Sequence, residues 1–256
     1  MSRKITASVL SDNHHEHKTH YISPERYAEG GAQLAILAGD VDEPEAALAY
    51  CAQIGIPAIY LLGNHEFYGR DYPETRKAAA ALAETLPDVH LLDPGVVQLD
   101  LDGSPIRVIG ATLWTDYRLF GAGDEWRAMK AAREQMNDHR LIRNGLDRFM
   151  PDDAQAAHVK ERAFIEEQLA IPFDGPTLVV THHAPSMRCQ DAKYANSPIA
   201  PAFCSDLEHL VADSGAALWI SGHTHGDCDL MLGETRLVSN QHGYRGEKTV
   251  GIKLID

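Results

Sequence analysis

Short, nearly uninterrupted apolar runs recur along the chain, and five of them stop at polar side chains. Ile5 to Leu10 leads into Ser11-Asp12-Asn13-His14, and Gln33 to Ala38 into Gly39-Asp40-Val41-Asp42-Glu43. Pro57 to Leu62 leads into Gly63-Asn64-His65-Glu66, Thr177 to Thr181 into His182-His183-Ala184-Pro185, and Ala216 to Ile220 into Ser221-Gly222-His223-Thr224-His225. Each run reads as a buried strand. An apolar strand that delivers polar groups at its C-terminal edge is how α/β proteins build sites. Ala46 to Ile54, with Ala47, Cys51 and Ile54 at helical spacing, predicts a helix, as does the alanine-rich stretch from Tyr72 to Leu86 that Pro87-Asp88 stops. Asp42, ahead of Glu43-Pro44-Glu45, has the form of an N-cap, which leaves Asp40 free for other work.

The middle of the chain changes pattern. Val89 to Leu92, Val96 to Leu101 and Ile106 to Leu113 read as short strands, the last two joined by the hairpin signal Asp102-Gly103. Asp116 to Asp153 is polar, aromatic and largely helical, with Trp126, Met129, Arg133, Met136 and Arg140 near helical spacing. Asp152 or Asp153 caps a further helix to about Leu169, and Phe203 to Ala212 predicts another. Asp227 to Leu232, Arg236 to Ser239 and Thr249 to Ile255 read as closing antiparallel strands, with Gly233-Glu234 as one turn. With no repeat or flexible linker, the expectation is one domain over 1–256, in which 113–170 forms a helical cap insertion. Tyr117, Arg118, Asn137, His139 and Arg140 are the cap side chains available to a substrate.

Composition narrows the partners. The 256 residues are 44% hydrophobic and 23% charged, ordinary for a globular protein, but the formal net charge is -14. That argues against duplex nucleic acid or an anionic membrane as partner, since both favour a basic face. Arg3-Lys4 precede only a short apolar stretch, and no run reaches the ~18 apolar residues of a membrane span. Cys51, Cys189, Cys204 and Cys228 have no Cys-x-x-Cys spacing, so reduced thiols in a cytoplasmic protein are expected. Nothing in the pattern sets an oligomeric state.

The polar ends carry the chemistry. Asp12 and His14 stand two apart, which in extended geometry puts both on one side. His15, His17 and His20 read as solvated loop histidines. Asp40, Asn64, His182, His223 and His225 complete a set of seven nitrogen and oxygen ligands without sulfur. Such a set suits two divalent transition ions rather than a structural zinc knot, with an aspartate such as Asp40 as bridge.

The motifs Asp12-Asn13-His14, Gly39-Asp40, Gly63-Asn64-His65-Glu66, His182 and Gly222-His223-Thr224-His225 stand in the order found in calcineurin-like metallophosphoesterases, and the chain closely resembles that family from residue 12 to residue 225. The resemblance implies an α/β fold of four layers, α/β/β/α, two mixed sheets flanked by helices. It implies that one metal takes Asp12, His14 and His225, the other Asn64, His182 and His223, and that Asp40 bridges. His182 is carried over as the histidine nearer the strand, with His183 beside it in the same motif. Glu43 stands where relatives have Asp or His to orient the catalytic histidine; Glu43, Asp42 and Glu66 are all open for that role.

The expected activity is hydrolysis of a phosphate mono- or diester. A hydroxide bridging two ions (Mn, Fe, Zn or Ni) attacks phosphorus in line, and His65 assists the leaving oxygen. The ions outweigh Asp12, Asp40 and the hydroxide, so the centre is positive inside an acidic protein. Asp40 and His65 are the catalytic candidates, and Asn64, His65, Arg118 and Arg140 the substrate-binding ones. The partner is a small phosphoester. A metal-binding scaffold without activity, expected to have lost ligands or His65, and a nuclease on longer nucleic acid, expected to carry a basic groove, are the rival readings.

Overall fold

Alternation within very short strands sorts the apolar side chains into three layers of core. The computed structural model describes residues 5–17, 21–244, 246–247 and 251–256. Arg3-Lys4, His20 and the Thr249-Val250 start of the last expected strand lie outside these. β1 (Ala7–Val9), β2 (Leu34–Leu37), β3 (Ala58–Tyr60) and β4 (Val89–Leu91) lie parallel in one sheet. Successive side chains point to opposite faces. Val9, Leu34, Ile36 and Ile59 therefore face one way, and Ala35, Leu37, Ala58 and Tyr60 the other. The second face is covered by α1 (Pro44–Cys51) and α2 (Tyr72–Ala83), through Ala47, Leu48, Cys51, Ala79 and Ala83.

β5 (Gly95–Leu101) and β6 (Ser104–Ala111) form the expected hairpin, with Asp102 and Gly103 both at positive φ as a tight turn requires. After β6 come α3 (Glu125–Gln135), α4 (Asp138–Leu141), a small hairpin of β7 (Arg143–Asn144) and β8 (Asp147–Arg148), and α5 (Pro151–Ala170). β9 (Thr177–Thr181), α6 (Glu208–Asp213), β10 (Leu218–Ser221), β11 (Cys228–Leu232), β12 (Thr235–Ser239) and β13 (Lys253–Ile255) complete the described elements. The second sheet has the order β11-β12-β10-β9-β6-β5, parallel except at its two edges, and β13 closes the first sheet antiparallel to β1. Val9, Ile36 and Ile59 meet Val108, Val180, Ile220 and Val238 between the sheets. Ile165 of α5 and Val211 of α6 cover the outer face of the second sheet over Ile109, Val179, Trp219 and Leu237. These are the four layers the resemblance implies.

Several local expectations differ. β12 pairs antiparallel with β11 but parallel with β10, so the tail is not wholly antiparallel. The helix expected from Phe203 starts only at Glu208, because Cys204 bridges Ala184 and Leu207 N–H donates to Pro185 O, holding that stretch out of helical geometry. In α3 the inward residues are Ala128, Ala131 and Ala132, whose small side chains suit close packing on the turn at Ala200–Ala202, while Trp126 is 62% exposed. Glu43, not Asp42, occupies the N-cap of α1 without a side-chain bond, since the Asp42 carboxylate accepts from Glu43 N–H instead. On α5 Asp153 reaches back to accept from Met150 N–H at 2.7 Å. All four cysteines are free and buried, Cys189 and Cys228 in sulfur contact.

Glu161 on α5 is fully buried and accepts from Leu113 N–H. Burial, with Asp93 nearby, pushes its pKa from 4.5 up to about 8. The folded chain thus holds this proton more tightly than the unfolded one. Its stabilising contribution is complete below the unfolded value and is lost as pH rises toward the folded value. Glu161→Gln, neutral at every pH, should therefore gain thermal stability over the wild type progressively between pH 4.5 and about 8 and no further above it; melting curves across that range read the effect.

Candidate metal centre

The loops after β1, β2, β3, β9 and β10 leave the C-terminal ends of parallel strands and converge where the two sheets meet. Those after β1, β2 and β10 turn sharply. Asp12 (φ 54), His14 (φ 48), Asp40 (φ 53), His223 (φ 69) and His225 (φ 53) all sit in the left-handed region. This corrects the extended geometry expected for Asp12 and His14: β1 ends at Val9, and a left-handed turn brings the two side chains together. Asp and His enter that region more readily than most residues. Hydrogen bonds zip the first two loops together, Asp12 N–H to Gly39 O and His14 N–H to Asp40 O, both 3.0 Å.

Three groups of donor atoms result: His14, Glu16, His17 and His65 form one, and the expected ligands fall into two more. In one, Asp12, His14 and His225 present atoms within 4.8 Å of one another; in the other, Asp40, His182 and His223 do. His14 Nε2 and His225 Nε2 face each other at 3.1 Å, and His225 Nε2 is 3.6 Å from Asp12 Oδ1. Asp12 is held in turn by His223 N–H at 3.0 Å and by the Ser11 hydroxyl. Asp40 stands between the clusters, Oδ1 3.5 Å from His182 Nε2 and Oδ2 3.8 Å from His14 Nε2. Asn64 Oδ1 lies 3.0 Å from His182 Nε2. His182 Nδ1–H donates to Ala38 O at 2.8 Å, which turns Nε2 toward the cluster as a ligand nitrogen requires. His183 turns Nδ1 to Thr112 O and packs its ring between those of Trp114 and His223. His223 Nε2 is buried and has no partner among the described residues. An orphaned imidazole nitrogen, beside imidazoles that aim lone pairs at one space, is what a bound cation resolves. The donor set fits divalent metal.

Although burial alone opposes it, His182 and His65 hold the Asp40 carboxyl well below its usual range. Burial also opposes a charge on His65, yet Asp40 and Glu16 raise its pKa to about 9. Glu16 was missed in the sequence. Its Oε1 accepts from His65 Nδ1 and His14 Nδ1, both at 3.0 Å. Burial would raise its pKa, but these bonds outweigh burial and bring it down to about 2. The three residues considered for orienting His65 do other work. Glu43 pairs with Arg70 at 2.9 Å, Asp42 turns to its own backbone, and Glu66 is buried under the loops. The signal that was present is the alternation Asp12-x-His14-x-Glu16. Tyr244, also unremarked, places its hydroxyl 2.9 Å from His65 Nε2 and its ring against His14 and His225. His15 is buried against Tyr21 and Tyr50, and burial lowers its pKa to about 4; among the described residues the loop histidine expectation holds for half-exposed His17.

A cavity of about 780 Å³ opens over the centre. Asp40, Asn64, His65, His223 and His225 form its floor, and Met136, Asn137, Tyr194, Ile199 and Phe203 stand on its walls. Arg118 and Arg140 do not line it. Arg118 is spent on Glu125 and Arg140 on the Asn137 side chain. Tyr117 and His139 are buried and bonded to each other. Of the cap side chains singled out from the sequence, Asn137 alone lines the cavity.

Residues 9–227 match the calcineurin-like phosphoesterase family, to which the chain belongs. None of the curated protein sequences matches it. Among solved structures it is similar to the phosphopantetheinyl hydrolase PptH of Mycobacterium tuberculosis, at TM-score 0.71 and 17% identity over 96% of this chain and 92% of that one. It is also similar to TT1561 of Thermus thermophilus, at TM-score 0.53 and 16% identity over 93% and 89% of the two chains. At such identities the likeness is one of fold. The family uses divalent metals, in keeping with the two clusters.

Gly63 shows how tightly the loops are set. A Cβ there would land on Asp40 Oδ1 and stand 2.7 Å from both Asp40 N and His182 Cε1. Gly63→Ala should leave both sheets intact by circular dichroism yet cost at least half of the bound metal, measured by elemental analysis after reconstitution with Mn²⁺.

Proposed function

We propose that the chain is a metal-dependent phosphoesterase that hydrolyses a phosphate mono- or diester, with Asp12, His14 and His225 holding one divalent ion, Asn64, His182 and His223 a second, and Asp40 bridging. The observation that carries this reading is the division of the donors into two clusters with one Asp40 oxygen turned to each. When bound, the ions supply Lewis acidity, acidifying a water and neutralising the phosphoryl oxygens. The chain's own groups do the rest. Asp40 fixes the spacing of the two clusters and also accepts from His65 N–H at 2.9 Å, which ties the acid to the centre. Glu16 holds the His65 ring by Nδ1, which leaves Nε2, now on the Tyr244 hydroxyl at the cavity lining, as the nitrogen that gives its proton to the leaving oxygen. Residues 116–150 act as a cap that, with the stretch from Gln190 to Phe203, shapes the room for the leaving group through Met136, Asn137, Tyr194 and Phe203.

Protein purified without chelator and loaded with Mn²⁺ should approach two ions per chain. Asp40→Asn should weaken both sites together, whereas Asn64→Ala should weaken mainly one; a firm limit of one ion with every ligand intact contradicts the binuclear reading.

His65→Ala should keep both ions and lower kcat by roughly 10²-fold or more for an alkyl phosphoester, with a much smaller loss for a p-nitrophenyl ester, whose leaving group needs no proton. Glu16→Gln should follow the same leaving-group pattern with a smaller loss, because the ring is retained and only its anchor weakened. Equal losses on both substrates would assign His65 to positioning rather than acid catalysis.

A further inference from the structure

Asp138 opens α4, in the segment proposed as the cap, and lies 74 residues along the chain from Asn64. Its carboxylate is nevertheless buried against the metal loop, at 3% exposure. Oδ1 accepts from Asn64 Nδ2 at 2.8 Å and from the Tyr68 hydroxyl at 2.8 Å, and Asn64 Nδ2 also donates to the Tyr68 oxygen at 3.1 Å. The three side chains form a closed triangle behind the candidate centre.

An asparagine amide has two ends of nearly equal shape, and only the oxygen can face a cation. Tyr68 cannot decide which end points forward, because a hydroxyl both donates and accepts. A carboxylate only accepts. We propose that Asp138 is a positioning residue that gives the triangle its polarity: by taking the Asn64 NH₂ group, it commits Oδ1 to the opposite side, where it meets His182 Nε2 and the metal. The inference rests on Asn64 being a ligand. It also gives the cap a task inside the metal site. Outer partners of this kind change metal affinity by about 10–100-fold.

The test uses the full chain, Mn²⁺ affinity by chelator competition, and the visible spectrum of the Co²⁺ form. Asp138→Asn keeps the volume at this position but lets an NH₂ group face Asn64. It should lower affinity for one ion, the one assigned to Asn64, His182 and His223, at least 10-fold and alter the Co²⁺ spectrum. Tyr68→Phe should change affinity by less than about threefold. The swap of Asn64→Asp with Asp138→Asn restores one donor facing one acceptor, and it should recover affinity to within a few-fold of wild type. If Asp138→Asn binds as wild type while Asn64→Ala loses an ion, the inference fails and the metal reading stands. If Asn64→Ala also binds as wild type, the ligand assignment itself fails. A swap no better than Asp138→Asn alone would show that Asp138 serves packing rather than polarity.

Discussion

Glu66 carries the junction on which the site depends. Its buried carboxylate accepts from Asp40 N–H, Val41 N–H, Gly63 N–H and the Tyr60 hydroxyl at 2.8–3.1 Å. The three amides belong to loops that have left their strands and have no ladder partner. Unanswered, each would cost roughly 1–3 kcal/mol. Five non-glycine residues in the loops after β1, β2 and β10 are left-handed, at about 1–3 kcal/mol each, which together rivals the ~5–15 kcal/mol net stability of a whole domain. The strain persists because the backbone is over-determined: Glu66 clamps β2 to β3, and the loop of β1 is zipped to that of β2. Burial and the charge of Asp40 push the Glu66 pKa up to about 8, against the bonds from Val41 and Tyr60, which favour the charged form.

The layers beneath explain why the loops can be held so. Parallel strands buried on both faces cannot shift without moving two cores at once, and every one of the five loops is rooted in such a strand. Side chains placed by these roots need only short reaches. Those from the cap reach the same centre from the other side: Asn137 lines the cavity while its neighbour Asp138 faces the metal loop. The wall over the substrate and the brace behind a candidate ligand are therefore adjacent residues.

What was legible in the sequence was local. An apolar run followed at once by Asp, Asn or His marks a strand end and its cargo, and all seven of those side chains meet in the fold. The pairings that complete the site are not local. Glu16 meets His65 across 49 residues and Asp138 meets Asn64 across 74, and no spacing announces either. The charge of Arg118 and Arg140 does not say where either side chain points, and both are taken by neighbours on their own segment. The left-handed turns were hidden as well, because they fall on Asp and His rather than on glycine. The helical reading of the α3 stretch places Met129 and Met136 inward, but Trp126 stays outside: alanine rather than tryptophan faces the closest contact, a matter of how close two surfaces come.

His14 and His225 touch although 211 residues separate them. Closing a loop of that length is slow and entropically opposed until the surfaces it joins can reward it. The half-site on the first sheet can therefore form early, from loops within the first quarter of the chain, but Asp12 and His14 wait for the second sheet to be threaded, paired and docked. A cation that needed His14 and His225 together would find them only once both sheets had docked, so it would bear on how long the finished molecule lasts more than on how quickly it is made.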